Sequence, residues 1–325
     1  MTHAICVHEL GGPEVLRWET VEVPDPGPGE VLLRHTAVGL NFIDVYHRTG
    51  LYPAGATPFI PGMEAAGVVE ATGQGVAGLG PGDRVAYASM PLGAYAERRV
   101  MPADRVVPLP GSIDDRTAAA MMLKGMTACY LLRRTYRVQP GDAVLVHAAA
   151  GGVGTIACQW AAHLGARVIG TVGSPEKAAI AAAHGCEHLI DYTREDFVER
   201  VREITHGEGV AVVYDSVGKD TFMRSLDCLR PLGTLVIFGQ SSGTPPPLDV
   251  GILSKKGSLY VTRPTIVTYT AKRADLLALA GELFEVVSQG TVRIEIGASF
   301  PLADAAEAHR ALEGRRTTGS TLLLP

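Results

Sequence analysis

The chain has 325 residues, 46% hydrophobic and 19% charged, a composition typical of folded globular proteins with room for two hydrophobic cores. Its formal net charge is -5, and its basic residues form no cluster larger than short pairs such as Arg133-Arg134, so we expect no nucleic-acid partner. No run of about 18 apolar residues occurs, and we therefore expect neither a transmembrane segment nor a membrane partner.

The cysteines and the first residues bear on the cellular compartment. The five cysteines lie far apart and include no C-x-x-C pair: Cys6, Cys129, Cys158, Cys186 and Cys228. The opening residues Met1-Thr-His-Ala lack the features of a secretory signal peptide. Both observations predict reduced thiols and a cytoplasmic protein.

Two patterns of secondary structure follow one another along the chain. About the first 120 residues are rich in Gly/Pro turn signals, and between these lie β-rich runs such as residues 30–40 and 65–73, which predict a compact, mostly β domain. From Asp142 onward, strands alternate with helical patterns, which predicts an α/β domain with a doubly wound parallel sheet. The expected strands are residues 143–147, 167–172, 188–191, 210–216, 233–239 and 257–263, with helices ending at Leu164 and beginning at Pro175, Arg194 and Lys219. The tail contains two amphipathic helical patterns, residues 271–288 and 303–313, around a strand-like segment, residues 292–300.

The glycine-rich stretch HAAAGGVG at residues 147–154 directly follows the first of these strands. Residues 149–154 match the dinucleotide fingerprint G-x-G-x-x-G, with alanine in its first position. A helical pattern follows, and Gly165 stands where a left-handed residue would end the helix. Strand, glycine loop, helix and second strand in this order predict a pyrophosphate site at the helix N-terminus.

The end of the second strand indicates which dinucleotide is bound. Sites that prefer NAD place Asp or Glu there to hold the ribose hydroxyls, but this strand ends in Thr171-Val-Gly-Ser-Pro-Glu-Lys177. Ser174 and Lys177 offer a hydroxyl and a cation to a 2′-phosphate, so we predict NADPH. Two alternatives remain at this point: Lys177 belongs to a solvated helix surface, or Glu176 replaces the missing acid.

Several segments occur in an order that is specific to one family: GGPEVL at Gly11, NFIDVYHRTGLYP at Asn41, PGMEAAGVV at Pro61, GDRVAYA at Gly82, HAAAGGVGTIACQWA at His147, VVYDSVG at Val212 and GSLYVTRP at Gly257. Over nearly its whole length the sequence resembles the zinc-free quinone oxidoreductases, the zeta-crystallin-like group of the medium-chain dehydrogenase/reductase superfamily. The resemblance implies a GroES-like catalytic domain at residues 1–124, a Rossmann NADPH-binding domain at residues 125–268, a C-terminal segment at residues 269–325 that completes the catalytic domain, and an active cleft at the junction.

The resemblance also implies site residues. Those expected on the nicotinamide side are Asn41, Phe42, Ile43 and Tyr46. Those expected at the domain junction are Lys124, Thr127 and Tyr130. Those expected to bind the pyrophosphate are Gly152 and Val153. Those expected around the adenosine phosphate are Gly173, Ser174, Lys177 and Tyr192. The remaining cleft residues are Ser216, Phe238, Ser241, Pro264, Thr265 and Arg315, with Arg316 as an alternative to Arg315.

Two positions distinguish this chain from the related zinc alcohol dehydrogenases, which place Cys and His where it has Asn41 and Met63. Glu64 alone cannot hold a catalytic zinc, which needs three protein ligands, so no metal is expected. The other metal-like segment, His184-Gly-Cys186-Glu-His188, lies between a helix and a strand. His184 there is better interpreted as complementing a helix dipole.

A quinone suits a site with NADPH and no metal, because its reduction yields an aromatic diol and requires mainly alignment. We expect Asn41, Tyr46 and Tyr52 around the acceptor as hydrogen-bond donors, although the two tyrosines are equally consistent with a structural role. The alternatives are a reductase of enals and enones, which needs an acid such as Tyr52 more strongly, and a non-catalytic NADPH-binding protein that binds RNA or serves as a crystallin. Residues 257–263 form the last predicted strand of the sheet, and pairing of this edge, as in the family, predicts a homodimer.

Overall fold

A computed structural model of the chain describes all residues from Met1 to Pro325. The residues form two compact units. The first contains Met1–Met126, Tyr269–Ser288 and Ile294–Pro325, and the second contains Thr127–Thr268 and Gln289–Arg293. The return of Gln289–Arg293 to the second unit differs from the boundaries drawn on the sequence, where residues 269–325 form one segment.

The chain contains fifteen strands. In chain order they are β1 Thr2–Val7, β2 Leu16–Val21, β3 Glu30–Leu40, β4 Glu64–Thr72, β5 Arg84–Ala88, β6 Arg98–Pro102, β7 Val107–Pro108, β8 Ala143–Val146, β9 Arg167–Val172, β10 His188–Asp191, β11 Val210–Asp215, β12 Leu229–Ile237, β13 Tyr260–Thr262, β14 Ile296–Pro301 and β15 Ser320–Leu324.

It also contains ten α-helices. They are α1 Phe42–Arg48, α2 Asp115–Tyr130, α3 Gly152–His163, α4 Pro175–Ala183, α5 Phe197–Ile204, α6 Phe222–Ser225, α7 Gly251–Lys255, α8 Ile266–Tyr269, α9 Arg273–Ser288 and α10 Ala305–Glu313. A π-helical turn, Leu131–Thr135, extends α2, and four short 3₁₀ helices join other elements. None of these helices combines the length and apolar character needed to cross a membrane.

The first unit is built around a seven-stranded sheet in which β3 is the longest strand. The order is β14-β15-β3-β4-β5-β7, with β6 also paired to β3, and only β14 and β15 run parallel. Alternate residues along β3, including Val31 and Leu33, are buried in one apolar core with Leu302 and Leu323 from the C-terminal part of the chain. The C-terminal residues therefore complete the core of this unit.

The second unit contains a six-stranded parallel sheet in the order β10-β9-β8-β11-β12-β13. The chain runs outward from β8 to β9 and β10, and then crosses to β11 on the other side of β8. Ligands of such sheets bind at the carboxyl ends of the strands, near this reversal of strand order. Every residue of β11 is buried, as expected for an interior strand of a parallel sheet. The α/β fold class predicted from the sequence is confirmed.

The structure corrects several predicted helices. α5 begins at Phe197 rather than at Arg194, because Asp191 holds the preceding turn through Thr193 and Asp196 caps the helix by accepting from Val198 N at 2.9 Å. The helix expected from Lys219 is only the short α6. The long helix α2, which sequence patterns did not indicate, carries little amphipathic signal because residues on several of its faces are buried.

Candidate active site

The glycine loop after β8 leads into α3, whose N-cap is Gly151. The first helical hydrogen bond joins Thr155 N to Gly151 O at 2.9 Å. The amides of Gly152 and Val153 therefore have no carbonyl of a preceding turn to bind, and they are free for an anion. The helix macrodipole favours negative charge at the same end. A dinucleotide pyrophosphate fits these donors.

The last glycine of the fingerprint is required by packing. A Cβ atom on Gly154 would lie 2.3 Å from the carbonyl oxygen of Ala148 and 2.7 Å from that of Ala149. Both contacts are with backbone, which cannot rotate away. Helix α3 therefore approaches the end of β8 closely only because this position has no side chain.

The segment after β9 contains the residues predicted to hold the adenosine phosphate. Ser174 is the N-cap of α4, and its Oγ accepts from Lys177 N at 3.3 Å. A Cβ atom on Gly173 would lie 2.5 Å from the Tyr192 hydroxyl oxygen, so Gly173 leaves room for that phenol. No carboxylate ends the strand. Glu176 is exposed, and a hydrogen bond from the Ser174 hydroxyl lowers its pKa.

The other predicted cofactor residues of the second unit also follow strand ends. Ser216 comes directly after β11, Phe238 and Ser241 come after β12, and Pro264 and Thr265 come after β13. Thr127 and Tyr130 lie in the last turn of α2. Apart from this turn, the set gathers at the carboxyl ends of the parallel strands, where an α/β sheet binds its ligands. Their individual contacts with a dinucleotide remain predictions.

In the first unit, Asn41 joins the end of β3 to the start of α1. Its backbone N–H donates to Asp44 Oδ2 at 2.9 Å, and Asp44 N donates back to Asn41 O at 3.0 Å. Its side-chain Nδ2 donates to Glu64 Oε2 at 2.7 Å. These bonds fix the first turn of α1, which carries Phe42 and Ile43.

Glu64 is fully buried, and its charge is balanced inside the unit. Its Oε1 accepts from Leu123 N at 2.7 Å, and its Oε2 accepts from Lys124 Nζ at 3.2 Å. The carboxylate lies so close to β3 that a Cβ on Gly39 would be 2.2 Å from Oε2. Lys124, which the family resemblance places near the cofactor, therefore has its ammonium group engaged with Glu64.

No three His, Cys, Asp or Glu side chains of the chain come together in an arrangement that could hold a metal ion. Met63, which precedes Glu64 in the sequence, is buried, and the only ligand atom of its side chain is a thioether sulfur. In the other metal-like segment, His184 Nδ1 lies 2.7 Å from the carbonyl oxygen of Ile180, and His188 pairs with Glu187 at 3.4 Å. The His184 contact with the last turn of α4 agrees with the helix-end interpretation.

Tyr46 and Tyr52 lie against each other. Their rings meet edge to face with centroids 5.0 Å apart, and Tyr52 N donates to Tyr46 O at 3.0 Å. The Phe42 ring is 6.2 Å from that of Tyr46.

At the C-terminal side of the unit, Arg315 follows α10 with φ +57°, while the alternative residue Arg316 pairs with Glu307.

A buried hydrogen-bond chain in this unit was not found by sequence reasoning. The Tyr95 hydroxyl donates to Asp44 Oδ2 at 3.1 Å and contacts His309 Nε2 at 3.0 Å, while His309 Nδ1 lies 2.9 Å from Arg48 Nη1. Because arginine only donates, Nδ1 accepts and Nε2–H donates to Tyr95. Arg48 in turn binds both carboxylate oxygens of Glu313, at 2.8 and 3.0 Å.

This chain perturbs two titrating groups. Burial, together with the nearby Arg48 guanidinium, lowers the pKa of His309 to about 3. Burial raises the pKa of Asp44 to about 7, against the opposing hydrogen bonds from Asn41 and Tyr95. Lys124 neutralises Glu64 and Arg48 pairs with Glu313, so Asp44 is the buried acid of this group without a basic partner of its own. The only feature of the sequence that relates to this arrangement is the position of Asp44, three residues after the helix N-cap Asn41.

Comparisons with known proteins agree with this architecture. The family model "Alcohol dehydrogenase GroES-like domain" matches residues 27–111, and "Zinc-binding dehydrogenase" matches residues 152–279. A quinone oxidoreductase of Pseudomonas aeruginosa is 55% identical over 325 residues, covering 100% of both chains. A 2-haloacrylate reductase of a Burkholderia species is 48% identical over 334 residues, with 100% of this chain and 99% of the relative covered.

Among solved structures, the crystal structure of Escherichia coli quinone oxidoreductase complexed with NADPH is similar, with a TM-score of 0.97 and 48% identity, covering 99% of this chain and 100% of the other. A GroES-like unit and a parallel α/β unit with a glycine-rich first loop define the alcohol dehydrogenase-like class of nicotinamide-dependent oxidoreductases. Within that class, the chain belongs to the quinone oxidoreductase family of the medium-chain dehydrogenase/reductase superfamily.

Proposed function

We propose that the chain is an NADPH-dependent quinone reductase that passes reducing equivalents from the nicotinamide to a quinone, or a related carbonyl acceptor, without a metal. The observation that carries the proposal is the full-length similarity to a quinone oxidoreductase crystallised with NADPH, at 48% identity and a TM-score of 0.97. The absence of a carboxylate at the end of β9 supports NADPH over NADH.

In this proposal the second unit binds the dinucleotide. The amides of Gly152 and Val153 hold the pyrophosphate, and Gly173, Ser174, Lys177 and Tyr192 surround the phosphate on the adenosine ribose. The exposed Glu176 carboxylate next to Ser174 opposes this assignment, because it would lie near a second anion. The preference therefore depends on the Lys177 cation and on donors around Ser174.

The first unit supplies the groups for the acceptor. When bound, NADPH would supply a hydride, and a quinone that accepts this hydride together with a proton from solvent would become an aromatic diol, so the protein needs mainly to orient the acceptor. Asn41 is held by Asp44 and Glu64, which fixes the start of α1. The phenols of Tyr46 and Tyr52 then donate hydrogen bonds to a quinone oxygen.

The test measures the loss of reduced-nicotinamide absorbance by the purified chain with a small benzoquinone. We expect turnover with NADPH and a much higher KM for NADH than for NADPH. The variants Tyr46→Phe and Tyr52→Phe keep the rings and remove the hydroxyls. If both variants retain the wild-type kcat, neither hydroxyl assists the reaction, and equal saturation by NADH and NADPH contradicts the cofactor assignment.

A second candidate is the reduction of electron-poor C=C bonds. It is favoured by the similarity to a 2-haloacrylate reductase at 48% identity. In that reaction hydride goes to the β-carbon and a proton must reach the α-carbon, so Tyr52→Phe should lower this rate more than the quinone rate. Rates with a quinone and an enone, measured side by side, separate the two candidates. NADPH binding without turnover of either acceptor would instead favour the non-catalytic alternative.

We also propose a cytoplasmic homodimer. Strand β13 is the edge of the parallel sheet and pairs only with β12, and Tyr260 on it is 60% exposed. Pairing of two such edges about a two-fold axis would satisfy the open backbone groups. The cytoplasmic location is supported by the five cysteines, all of which are buried thiols outside any disulfide bond. Sedimentation of the purified chain tests the dimer, and a monomeric mass at micromolar concentration would overturn it.

A further inference from the structure

We infer that His147 is a positioning residue for the dinucleotide site, acting through a buried hydrogen-bond chain from Thr171 through His147 and Ser225 to Asp215. The inference rests on the proposed NADPH site and adds residues that would not touch the dinucleotide. The chain lies entirely within the second unit and runs beneath the loops that follow β8, β9 and β11.

The contacts of the chain are continuous. His147 Nδ1 lies 3.0 Å from Thr171 Oγ1, and His147 Nε2 lies 3.0 Å from Ser225 Oγ. The Ser225 hydroxyl donates to Asp215 Oδ2 at 3.2 Å. All four residues are at least 98% buried, so the partners cannot be replaced by bulk water without local unfolding.

The direction of each hydrogen bond follows from Asp215. Its Oδ1 accepts from Val217 N at 2.8 Å and Gly218 N at 3.0 Å, and its carboxylate also accepts from the Thr221 hydroxyl. Because the other partners of Asp215 are all donors, its carboxylate accepts the hydrogen bond of the Ser225 hydroxyl. Ser225 Oγ is then left to accept from His147 Nε2–H. His147 Nδ1 then accepts from the Thr171 hydroxyl.

This arrangement requires a neutral imidazole. Burial lowers the pKa of His147, the nearby Arg224 acts in the same direction, and Asp215 opposes them. The Phe197 ring packs nearly perpendicular to the imidazole, with centroids 5.1 Å apart and an interplanar angle of 83°. His147 therefore has a defined tautomer and a defined ring orientation.

The chain holds the glycine loop at its strained start. Ala148 follows His147 and adopts φ +53°, a left-handed conformation that costs a non-glycine residue about 1 kcal/mol or more. Thr171 restrains this point twice: its Oγ1 accepts from Ala148 N at 3.3 Å and its carbonyl accepts from Ala149 N at 3.0 Å. Ala148 O then accepts from Gly151 N at 2.9 Å.

These contacts connect the side-chain network to the anion-binding amides. Gly151 caps α3, so the placement of Ala148 determines where the amides of Gly152 and Val153 point. At its other end, Asp215 fixes the loop that begins with Ser216, another predicted cofactor residue. The network thus ties the loops after three adjacent strands into one rigid edge, and such preorganisation lowers the cost of binding.

The experiment compares Thr171→Val with Thr171→Ser. Valine keeps the β-branched shape and removes the hydroxyl, whereas serine keeps the hydroxyl. We expect Thr171→Val to raise the Kd for NADPH, measured by the fluorescence of bound NADPH, by about three- to tenfold, with kcat at saturating NADPH within about twofold of wild type. Thr171→Ser should stay within about twofold of the wild-type Kd. His147→Gln should weaken binding in the same way.

The control is His35→Gln in the other unit. His35 is also a buried histidine with two contacts, to Ala96 O at 2.6 Å and the Tyr87 hydroxyl at 2.9 Å. The His35→Gln variant should have a lower Tm than wild type and an unchanged Kd for NADPH. The inference is overturned if Thr171→Val binds NADPH as tightly as wild type, or if His35→Gln weakens binding equally. Failure of the wild-type chain to bind NADPH would overturn the proposed function as well, so the two failures are distinguishable.

Discussion

The side-chain amide of Asn41 donates to Glu64 Oε2 over 2.7 Å, and the same oxygen accepts from Lys124 Nζ at 3.2 Å. Asn41 and Met63 are the two positions that distinguish this chain from the zinc alcohol dehydrogenases, and Glu64 directly follows Met63. Here the carboxylate is balanced by a lysine and two neutral donors of the same unit. The start of α1 is therefore anchored on a buried charge pair, whose side chains are 7% and 0% exposed.

Removal of one member of this pair should be costly. We expect Lys124→Met to destabilise the folded state by about 3–5 kcal/mol, because it leaves Glu64 buried without a counter-charge. The double variant Glu64→Gln with Lys124→Met should be more stable than Lys124→Met alone. Urea denaturation measures both, and the exposed pair Arg310 and Glu307 is the control, where Arg310→Met should cost about 1 kcal/mol or less. Equal stability of the single and double variants would contradict the pairing.

Asp44 should produce a distinctive pH dependence of stability. Its pKa of about 7 in the folded state lies above the ordinary value of 3.8, so the folded chain retains a proton that the unfolded chain releases. The protonated Asp44 contributes at most about 4 kcal/mol to the free energy of unfolding. This contribution is complete below about pH 4 and is lost as the pH rises through about 7. Lys124 and the hydrogen bonds from Asn41 and Tyr95 limit it, and Glu64 adds to it.

The variant Asp44→Asn isolates this effect. It keeps an oxygen that accepts from Asn41 and Tyr95 but cannot ionise, so the decline of stability between pH 5 and about 8 should be smaller than in wild type. The buried His309, with its pKa lowered to about 3, acts in the opposite sense and loses its contribution as the pH falls below about 6.5. Wild type and Asp44→Asn both keep His309, so both lose stability in this way at acidic pH. Parallel curves for the two proteins above pH 5 would show that Asp44 is already ionised in the folded state.

Gly154 should be intolerant of any side chain. Gly154→Ala places a methyl group 2.3 Å from the Ala148 carbonyl oxygen, so we expect a loss of about 1–3 kcal/mol in stability and at least about tenfold weaker NADPH binding. Gly281, inside α9, has no atom within 4 Å of its would-be Cβ. Gly281→Ala should therefore stabilise the chain by up to about 1 kcal/mol and leave binding unchanged. Thermal unfolding and NADPH titration of both variants provide the measurement.

Ser174→Asp separates helix capping from cofactor choice. Aspartate caps a helix about as well as serine but cannot donate to Glu176 as the Ser174 hydroxyl does, so we expect the cap to be kept and the Tm to fall only slightly. Its charge would repel a 2′-phosphate, so we expect about tenfold weaker NADPH binding or more, with NADH binding equal or better. Asp196, the N-cap of α5, allows the reverse exchange as a control, and Asp196→Ser should affect neither cofactor. Unchanged discrimination in Ser174→Asp would place the 2′-phosphate elsewhere.

Much of the α/β unit follows from short-range signals. Strands β9 and β10 have the predicted bounds, and α3 stops before Gly165, which adopts φ +87°. Ser174 caps α4 as the sequence indicates. In the β unit, β3 likewise has the predicted bounds. These features depend on alternation, helical periodicity and capping, which act within a few residues.

Other elements depended on their surroundings. Helix α2 lacks a clear polar face, because it is buried on several sides, so no period in the sequence reveals it. The expected helix after Lys219 shortened to α6, because the Thr221 hydroxyl binds Asp215 and the chain turns there. Such outcomes are decided by packing rather than by local preference.

The sequence by itself determined the family, the parallel α/β unit, the glycine loop and the candidate cofactor residues. Only the tertiary structure decided that Arg48 meets His309 across 261 residues of chain, and that His147 meets Ser225 across 78. The physical reason is that a buried polar group must find a partner wherever folding places one. That requirement leaves no periodic trace in the sequence, so these networks become visible only when the chain is folded.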